Sequence, residues 1–537
     1  MFLKDHDLIQ MDEVYLQQLE HEQLKTVSAR LLSDLKEAHD RLNENSQNSS
    51  RPPSTEAPWI NLESENNTEK TEEFLEEESR AEADLSENTE ASGSQEASTT
   101  SDAEDKDSEI DAKDTEKRAK KKPGKQEGST GHGRTQKLPV TGEVTHQPSQ
   151  CTACEKNFDS EDLFIATTGH FIIDIKVGAE ETPGLHITNT KHIYGETTCS
   201  ECHHQTSSIP EKCAPDEEWS VEMSQWHLVG PTLVSLICFM AMRMKLSRRR
   251  IQEYFLTWYG LQLSVGTINQ CIHEAGRALS PVEEKMIEDV LASELVHIDE
   301  TSWKEKGKLL WLWVFVGTTA VFYTVGSRGK EVLEKIIGPL FEGWIMTDGY
   351  GVYRDYMNRL RCWAHLTRKA RGLEESLNQE SRIFGKGVLA FLDLLMESIY
   401  AAREGPSESL LPQFKEKLEE FQTLCEKYRN AKNDKLRALA REFLNDWDAI
   451  FRILEHPHFP ITNNLAEQIL RHWVLLRRAN HGTKSPQGTR TVGILASVID
   501  TLRMRNLSPW EYIAQTVEQR RKGLPVPPLP QANLLHG

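Results

Sequence analysis

The spacing of apolar side chains changes character several times along the chain, and each change predicts a different kind of element. Leu16, Leu24, Val27, Leu31, Leu35, Ala38 and Leu42 recur at three-and-four spacing among charged residues, so residues 8–42 read as an amphipathic helix. The heptads are imperfect, with Asp34 where a core residue belongs. The stripe therefore suits either coiled-coil self-association or packing on the chain's own body. Pro52 and Pro53 close the segment, and from there to about residue 145 large apolar residues nearly vanish. Such a stretch cannot offset its ordering entropy, and 46–145 is expected to be a disordered linker. Apolar periodicity then returns in a small cysteine-flanked module (146–215) with strand-like runs at 171–177 and 185–188, followed by a helical region at 216–292.

From residue 293 the pattern alternates. Residues 294–299 read as a short apolar strand ending on Asp299, 308–317 as a central strand, and 320–325 as a third, before Gly326 and Ser327 turn the chain. A helix follows at 331–340, with Val332, Leu333, Ile336, Ile337 and Leu340 on one face. Residues 343–349 then give another short strand ending on Asp348. Three strands, a helix and a strand is the order of a ribonuclease H-like sheet. In that fold the first and fourth strands are neighbours, so Asp299 and Asp348 would meet at one sheet edge although 49 positions separate them. Residues 374–455 carry a helical stripe (Leu410, Phe414, Leu418, Phe421, Leu424), and a helix capped by Thr462 or Asn463 carries Glu467. The predicted class is α/β: a ribonuclease H-like mixed sheet in two parts (293–373 and 456–516) around a large helical insertion (374–455). Before it come an N-terminal amphipathic helix (1–45), the linker, a zinc-binding module and a helical domain; a tail (517–537) ends the chain.

Charge changes the picture only once it is located. The 537 residues carry a formal charge of −20, which looks hostile to nucleic acid, but residues 60–116 alone hold 21 acidic and 4 basic side chains. Residues 117–150 hold 8 basic and 2 acidic, and 461–537 hold 10 basic and 4 acidic. A local basic surface is compatible with the acidic total. The N-terminus lacks an export pattern, and the longest apolar run, 233–242, is far below the ~20 residues that cross a bilayer. A cytoplasmic protein, with no membrane partner, is expected.

Three chemistries are encoded. Asp299, Asp348 and Glu467 offer hard oxygen ligands suited to Mg²⁺ or Mn²⁺. A pair of such ions about 3.5–4 Å apart activates an attacking oxygen and stabilises a leaving one at phosphorus. Asp after a strand and Glu on a helix are also commonplace without any ion. Cys151, Cys154, Cys199 and Cys202 form two C-x-x-C knuckles that fit a structural Zn²⁺; four unlinked thiols, or haem attachment at the C-x-x-C-H of His203, are the other readings. Residues 246–272 suggest helix, turn, helix, with Arg248, Arg249 and Arg250 available to phosphates, or else core helices that buttress the sheet. Arg471, Arg477, Arg478 and Lys484 follow Glu467 either as a DNA-neutralising patch or as a solvated face, and residues 117–125 read as a flexible basic tether.

The segments His297-Ile298-Asp299-Glu300-Thr301, Thr347-Asp348-Gly349-Tyr350-Gly351-Val352-Tyr353, Cys362-Trp363-Ala364-His365 and Asn463-Asn464-Leu465-Ala466-Glu467 resemble, in that order, motifs of the insertion sequence 66 family of DDE transposases. The segment 48–54, the paired knuckles and residues 497–509 extend the resemblance. Gln468 and Leu507 depart from it, where Arg and Gly are usual. The resemblance implies that Asp299, Asp348 and Glu467 bind the catalytic metal ions, that His365 is an auxiliary residue near the scissile phosphate, and that the zinc module belongs to the end-binding region. It implies a transposase that binds the terminal inverted repeats of an insertion sequence, cleaves double-stranded DNA and transfers the strand to target DNA. A homo-oligomer on DNA and small element-encoded accessory proteins would take part. A catalytically idle DNA-binding regulator derived from such an enzyme is the alternative, and a repair nuclease with the same core a third reading.

Overall fold

Two left-handed residues, Lys306 (φ 49°) and Gly307 (φ 84°), close the hairpin that begins the main sheet. The computed structural model describes residues 19–44, 48, 138–178, 181–405 and 408–531. Residues 8–18 of the expected first helix, most of the linker, the basic tether at 117–125 and the last six residues lie outside these.

Within the described residues the first element is α1 (His21–Leu42), none of whose residues is buried. Its end is tied to the insertion described below: Asn48 Nδ2 donates to Glu375 (2.6 Å), and Lys435 pairs with Glu44 (2.8 Å). A second sheet follows, of β1 (Gly142–His146), β2 (Leu163–Val177), β3 (Leu185–Thr198) and β4 (Gln205–Ser207), with order β1-β3-β2 and β4 on β3. The strands at 171–177 and 185–188 are thus parts of a hairpin twice as long as the apolar runs suggest, because backbone pairing continues from Val177↔Leu185 to Leu163↔Thr198. Residues 142–145, assigned to the linker from composition, belong to β1. Its ladder to β3 supplies the bonding that its side chains do not advertise.

The helical region comprises α2 (Pro231–Met242), α3 (Arg248–Tyr259), α4 (Val265–Leu279) and α5 (Glu283–Leu291). Gly230, at the start of α2, has no side chain to cap with, so Asp174 of β2 accepts from Leu233 N (2.7 Å) instead. The main sheet then assembles from β5 (Leu295–Glu305), β6 (Lys308–Val316), β7 (Val321–Gly326), β8 (Trp344–Thr347) and β9 (Arg359–Arg361), in the order β7-β6-β5-β8-β9. β5 pairs antiparallel with β6 and parallel with β8. Two expectations need correction. β5 does not end on Asp299 but continues six residues further, because the Lys306–Gly307 turn keeps it paired with β6 to Glu305↔Lys308. The helix after β7, α6 (Lys330–Ile336), stops short of Leu340, because Gly338 turns left-handed (φ 79°) ahead of Pro339 and leaves Leu340 exposed.

After β9 the chain forms α7 (Trp363–Glu374), then the helical insertion α8 (Gln379–Arg403), α9 (Leu411–Tyr428), α10 (Asp434–Asn445) and α11 (Trp447–Phe451). It returns through α12 (Asn464–Asn480), α13 (Pro486–Met504) and α14 (Pro509–Arg521). Two hydrophobic clusters divide the molecule. One joins Val296, Ile298 and Ile345 to α12, α13 and the helical region; the other joins Met346 and Leu360 to the insertion. At β7, the sheet's outer strand, Ser497 and Thr501 of α13 accept from Tyr323 N (2.8 Å) and Val321 N (2.9 Å), so the edge donors are satisfied by helix hydroxyls. Arg521, at the start of the expected tail, is buried and bonds both oxygens of Glu274 on α4 at 2.7 Å. Among the described residues no helix is long and apolar enough to cross a membrane.

Candidate active site and metal centre

The parallel pairing of β5 with β8 ends at His297↔Met346, and two residues beyond each partner stand Asp299 and Asp348. Asp299 is half-buried and accepts the Glu300 N–H (2.8 Å); Asp348, just past β8, accepts the Tyr350 N–H (2.8 Å), which fixes its turn. Glu467 lies in the first turn of α12. Asn463 occupies the cap position but does not cap. Its buried amide donates to Ile298 O (2.8 Å) and meets His297 Nδ1 (3.0 Å), while its own N–H donates to Cys362 Sγ (3.1 Å). One asparagine thus seats the glutamate-bearing helix on the strand that bears Asp299.

Electrostatics tie the three acids together. Burial pushes the Asp299 carboxyl well above the usual range, and the charges of Glu300, Asp348 and Glu467 push it further. Burial also favours the neutral form of Glu467, but the hydrogen bond from His365 (3.0 Å), the His365 charge and Arg368 (3.8 Å away) outweigh it and lower the pKa. The Glu467 carboxylate faces His365 and Cys362, with one ligand atom from each of the three lying mutually within 4.8 Å. Asp299, Asp348 and Glu467 do not form so tight a set among the described residues. His365, on the first turn of α7, therefore contacts the third acid. A crowd of mutually repelling carboxylates is the donor set that a divalent cation relieves.

A further group was not foreseen. Glu300, adjacent to Asp299 but on the other face of β5, is buried. It accepts from Tyr353 Oη (2.7 Å) and from Arg328 Nε and Nη2 (3.1 and 2.9 Å). The Arg328 guanidinium sits over Trp311 (4.0 Å) and Tyr350 (4.2 Å), and Tyr350 Oη donates back to Arg328 O (2.7 Å). Because the Tyr350 N–H also holds Asp348, this network couples the strand of the first acid to the turn of the second. Strand alternation next to Asp299 was the available signal; the partners come from 28 to 53 positions away.

The knuckles are near-copies of each other. Cys151 N donates to Lys156 O and Glu155 N to Cys151 O; Cys199 N donates to His204 O and His203 N to Cys199 O. Glu155 and His203 are both left-handed (φ 60° and 55°). The four sulfurs lie within 4.8 Å, with Cys151–Cys202 and Cys154–Cys199 both at 3.6 Å. A tetrahedral Zn²⁺ with ~2.3 Å bonds to sulfur needs edges of about 3.7 Å, so the cradle fits zinc. Burial opposes ionisation of Cys151, but the backbone N–H groups of Cys154 and Ala153 prevail and draw the thiol down to about 6.

The expected DNA contacts separate by environment. Arg249 and Arg250 are exposed and Arg248 half-buried at the start of α3. The helix-turn-helix outline is present as α3 and α4, but α4 buries nine of its fifteen residues from Ile268 onward, leaving its first turn outside. Arg471, Arg478 and Lys484 are exposed. Arg477 instead donates to Thr301 Oγ1 and Ser302 Oγ (both 2.8 Å), which anchors α12 to β5.

Residues 227–491 match the model of the Transposase IS66 family. The chain is also similar to uncharacterized proteins of Sinorhizobium fredii (strain NBRC 101917 / NGR234). It is 23% identical to y4qI over 307 residues, covering 51% of this chain and 56% of the relative. It is 26% identical to y4jO over 180 residues (33% and 53%), and 23% identical to y4hP over 332 residues (54% and 59%). The chain thus spans somewhat over half the length of the relatives it matches.

Proposed function

Because residues 227–491 are an IS66 family transposase domain, we propose that this chain is an active DNA strand transferase with Asp299, Asp348 and Glu467 as its catalytic acids. The observation that carries the reading is that the first two acids stand two residues beyond the last pair of the parallel β5–β8 ladder, Asp299 within β5 and Asp348 just past β8, with the third near enough to raise the pKa of the first. The strand order β7-β6-β5-β8-β9 supports a ribonuclease H-like core.

The three carboxylates would hold two Mg²⁺ or Mn²⁺ ions, which when bound supply Lewis acidity to the attacking and leaving oxygens. The chain's own residues organise the rest. Asn463 fixes Glu467 relative to Asp299, and the Glu300, Arg328 and Tyr353 network fixes the Asp348 turn. His365 holds the Glu467 carboxylate by hydrogen bond and so keeps it ionised and oriented. In the nicking step a water oxygen bonds to phosphorus and the bond to the 3′ oxygen breaks, leaving a 3′-hydroxyl. In the joining step that hydroxyl bonds to a target phosphorus and displaces another 3′ oxygen. The zinc module, the first turns of α3 and α4, and Arg471, Arg478 and Lys484 contribute to holding terminal inverted repeats and target duplex, in a homo-oligomer with accessory proteins.

The test is to incubate purified protein and accessory proteins with DNA containing the element's ends and Mg²⁺ or Mn²⁺. Parent protein is expected to give nicked and joined products, and Asp299→Asn, Asp348→Asn and Glu467→Gln none. A variant that cleaves as well as the parent defeats the assignment. Binding without cleavage under either metal identifies an idle regulator, and cleavage without joining a nuclease.

A further inference from the structure

Beside Asp348 lies an open polar cavity of about 440 Å³, lined among others by Asp348, Gly349, His365, Lys369, Arg441 and Glu442. Arg441 and Glu442 belong to α10, so the helical insertion reaches the candidate active site. Behind the cavity, β9 carries Arg359 and Arg361 on one face of the sheet, both buried. Arg361 lies directly against Gly349: a Cβ there would stand 2.7 Å from Arg361 Nη2, so only glycine lets the Asp348 turn settle on the guanidinium.

Cations line this cavity and stand behind it. Arg354 and Arg359 both donate to Asp446 (3.0 Å each), while Arg361 and Lys369 share Glu442. Arg441 bonds the Arg429 carbonyl (2.8 Å) and the Asn430 amide (3.0 Å), not a carboxylate. Four cations thus share Asp446 and Glu442, with Arg361 reaching both, while Arg441, which lines the cavity, has no carboxylate partner among the described residues. Arg354, Lys369 and Arg441 line an open polar cavity whose lining carboxylates are Asp348 and Glu442, and a guanidinium there without a carboxylate partner marks a place for an anion. The cavity has room for a sugar-phosphate linkage and not for the width of a duplex.

We propose that this cavity binds the phosphodiester backbone of one DNA strand, with Lys369 from α7 and Arg441 from the insertion as its outer phosphate contacts and Arg354, Arg359 and Arg361 as the field behind them. The inference deepens the strand-transferase reading and rests on it: the insertion becomes a clamp that presents a strand to the neighbouring acids.

The experiment measures binding of a 20-nucleotide mixed-sequence single-stranded DNA to the full chain, by fluorescence anisotropy without added Mg²⁺ or Mn²⁺ across a salt series. Each single-strand phosphate contact contributes about 0.7 to the slope of log K against log salt. The Lys369→Ala, Arg441→Ala double variant is expected to lose about 1.4 of slope and to bind roughly 25-fold more weakly at 0.1 M salt. A double variant with the parent's affinity and slope, or a parent that binds no single strand, overturns the cavity proposal and leaves the transferase reading standing; a parent that also binds no end-bearing duplex sinks both. Should the double variant fold poorly by circular dichroism, acetylation of Lys369 in the parent decides. Protection by saturating oligonucleotide is expected, and equal modification with and without DNA refutes the site.

Discussion

Replacing Asn463 by Ala separates the positioning of Glu467 from every other property of the site. Its side chain lies in a residue 1% exposed and makes two bonds to β5, to Ile298 O at 2.8 Å and His297 Nδ1 at 3.0 Å. Alanine leaves both groups buried and short of a partner, at about 1–3 kcal/mol each, so a loss of roughly 2–6 kcal/mol is expected. A fold near the middle of the ordinary stability range of about 5–15 kcal/mol survives that. The backbone bond from Asn463 N to Cys362 Sγ remains, so the helix stays nearby but is free to shift. A displacement of about 1 Å at a reacting centre costs on the order of 100-fold in rate. The assay pairs a urea melt followed by near-ultraviolet circular dichroism with the initial rate of DNA nicking. Binding of DNA without added Mg²⁺ or Mn²⁺ should be unchanged, because the side chain is enclosed by protein. A variant with a lowered melt midpoint but the parent's nicking rate would refute the positioning argument; unchanged stability would refute the anchoring one.

Thr501→Val keeps the shape of the side chain but removes the hydroxyl that serves Val321 on the sheet edge; it should cost about 1–3 kcal/mol in a urea melt, with DNA binding unaffected. One zinc per chain should be released by a thiol-reactive reagent and detected with a metallochromic dye, and Cys151→Ser should abolish that release; a protein that holds no zinc after growth in zinc-replete medium counts against the cradle. His192, stacked near His146 and His170, is held down to about 4 by burial and by the charges of those two rings. A free histidine takes up its proton near 6.5, so the unfolded chain binds protons that the folded hairpin resists, and stability should fall as pH drops from about 6.5 to 4. Hydrogen exchange of β3 amides, corrected for intrinsic rate, reads this, and His192→Gln should flatten the profile.

The legible parts of the sequence were those in which local pattern and tertiary role coincide. The central strand, the strand before Asp348 and the amphipathic insertion helices bury the faces their apolar spacing announced, as Phe414, Leu418 and Phe421 do in α9. The full length of β5 was hidden, because its second half is polar and is held by ladder pairing through a two-residue turn. β9 was hidden as well: Arg-Leu-Arg carries no strand signal, and its arginines are buried only because Glu442 and Asp446 arrive from an insertion some 80 residues later. Asn463 looked like a cap because caps are local, whereas its partners lie 165 and 166 positions upstream. The three proposed acids were singled out by their neighbours in sequence; the coupling of Glu467 to His365 depended on where two helices start in space.

Both rims of the main sheet are occupied. Hydroxyl groups of α13 bond Val321 and Tyr323 of β7, and β9 is packed against α11 with its arginines bonded to the insertion. These coverings obstruct the addition of another copy's strand at either rim. In the proposed homo-oligomer on DNA, copies would join through helical surfaces or the long hairpin of the cysteine module, leaving every copy's acid-bearing strands undisturbed as neighbours are recruited or released.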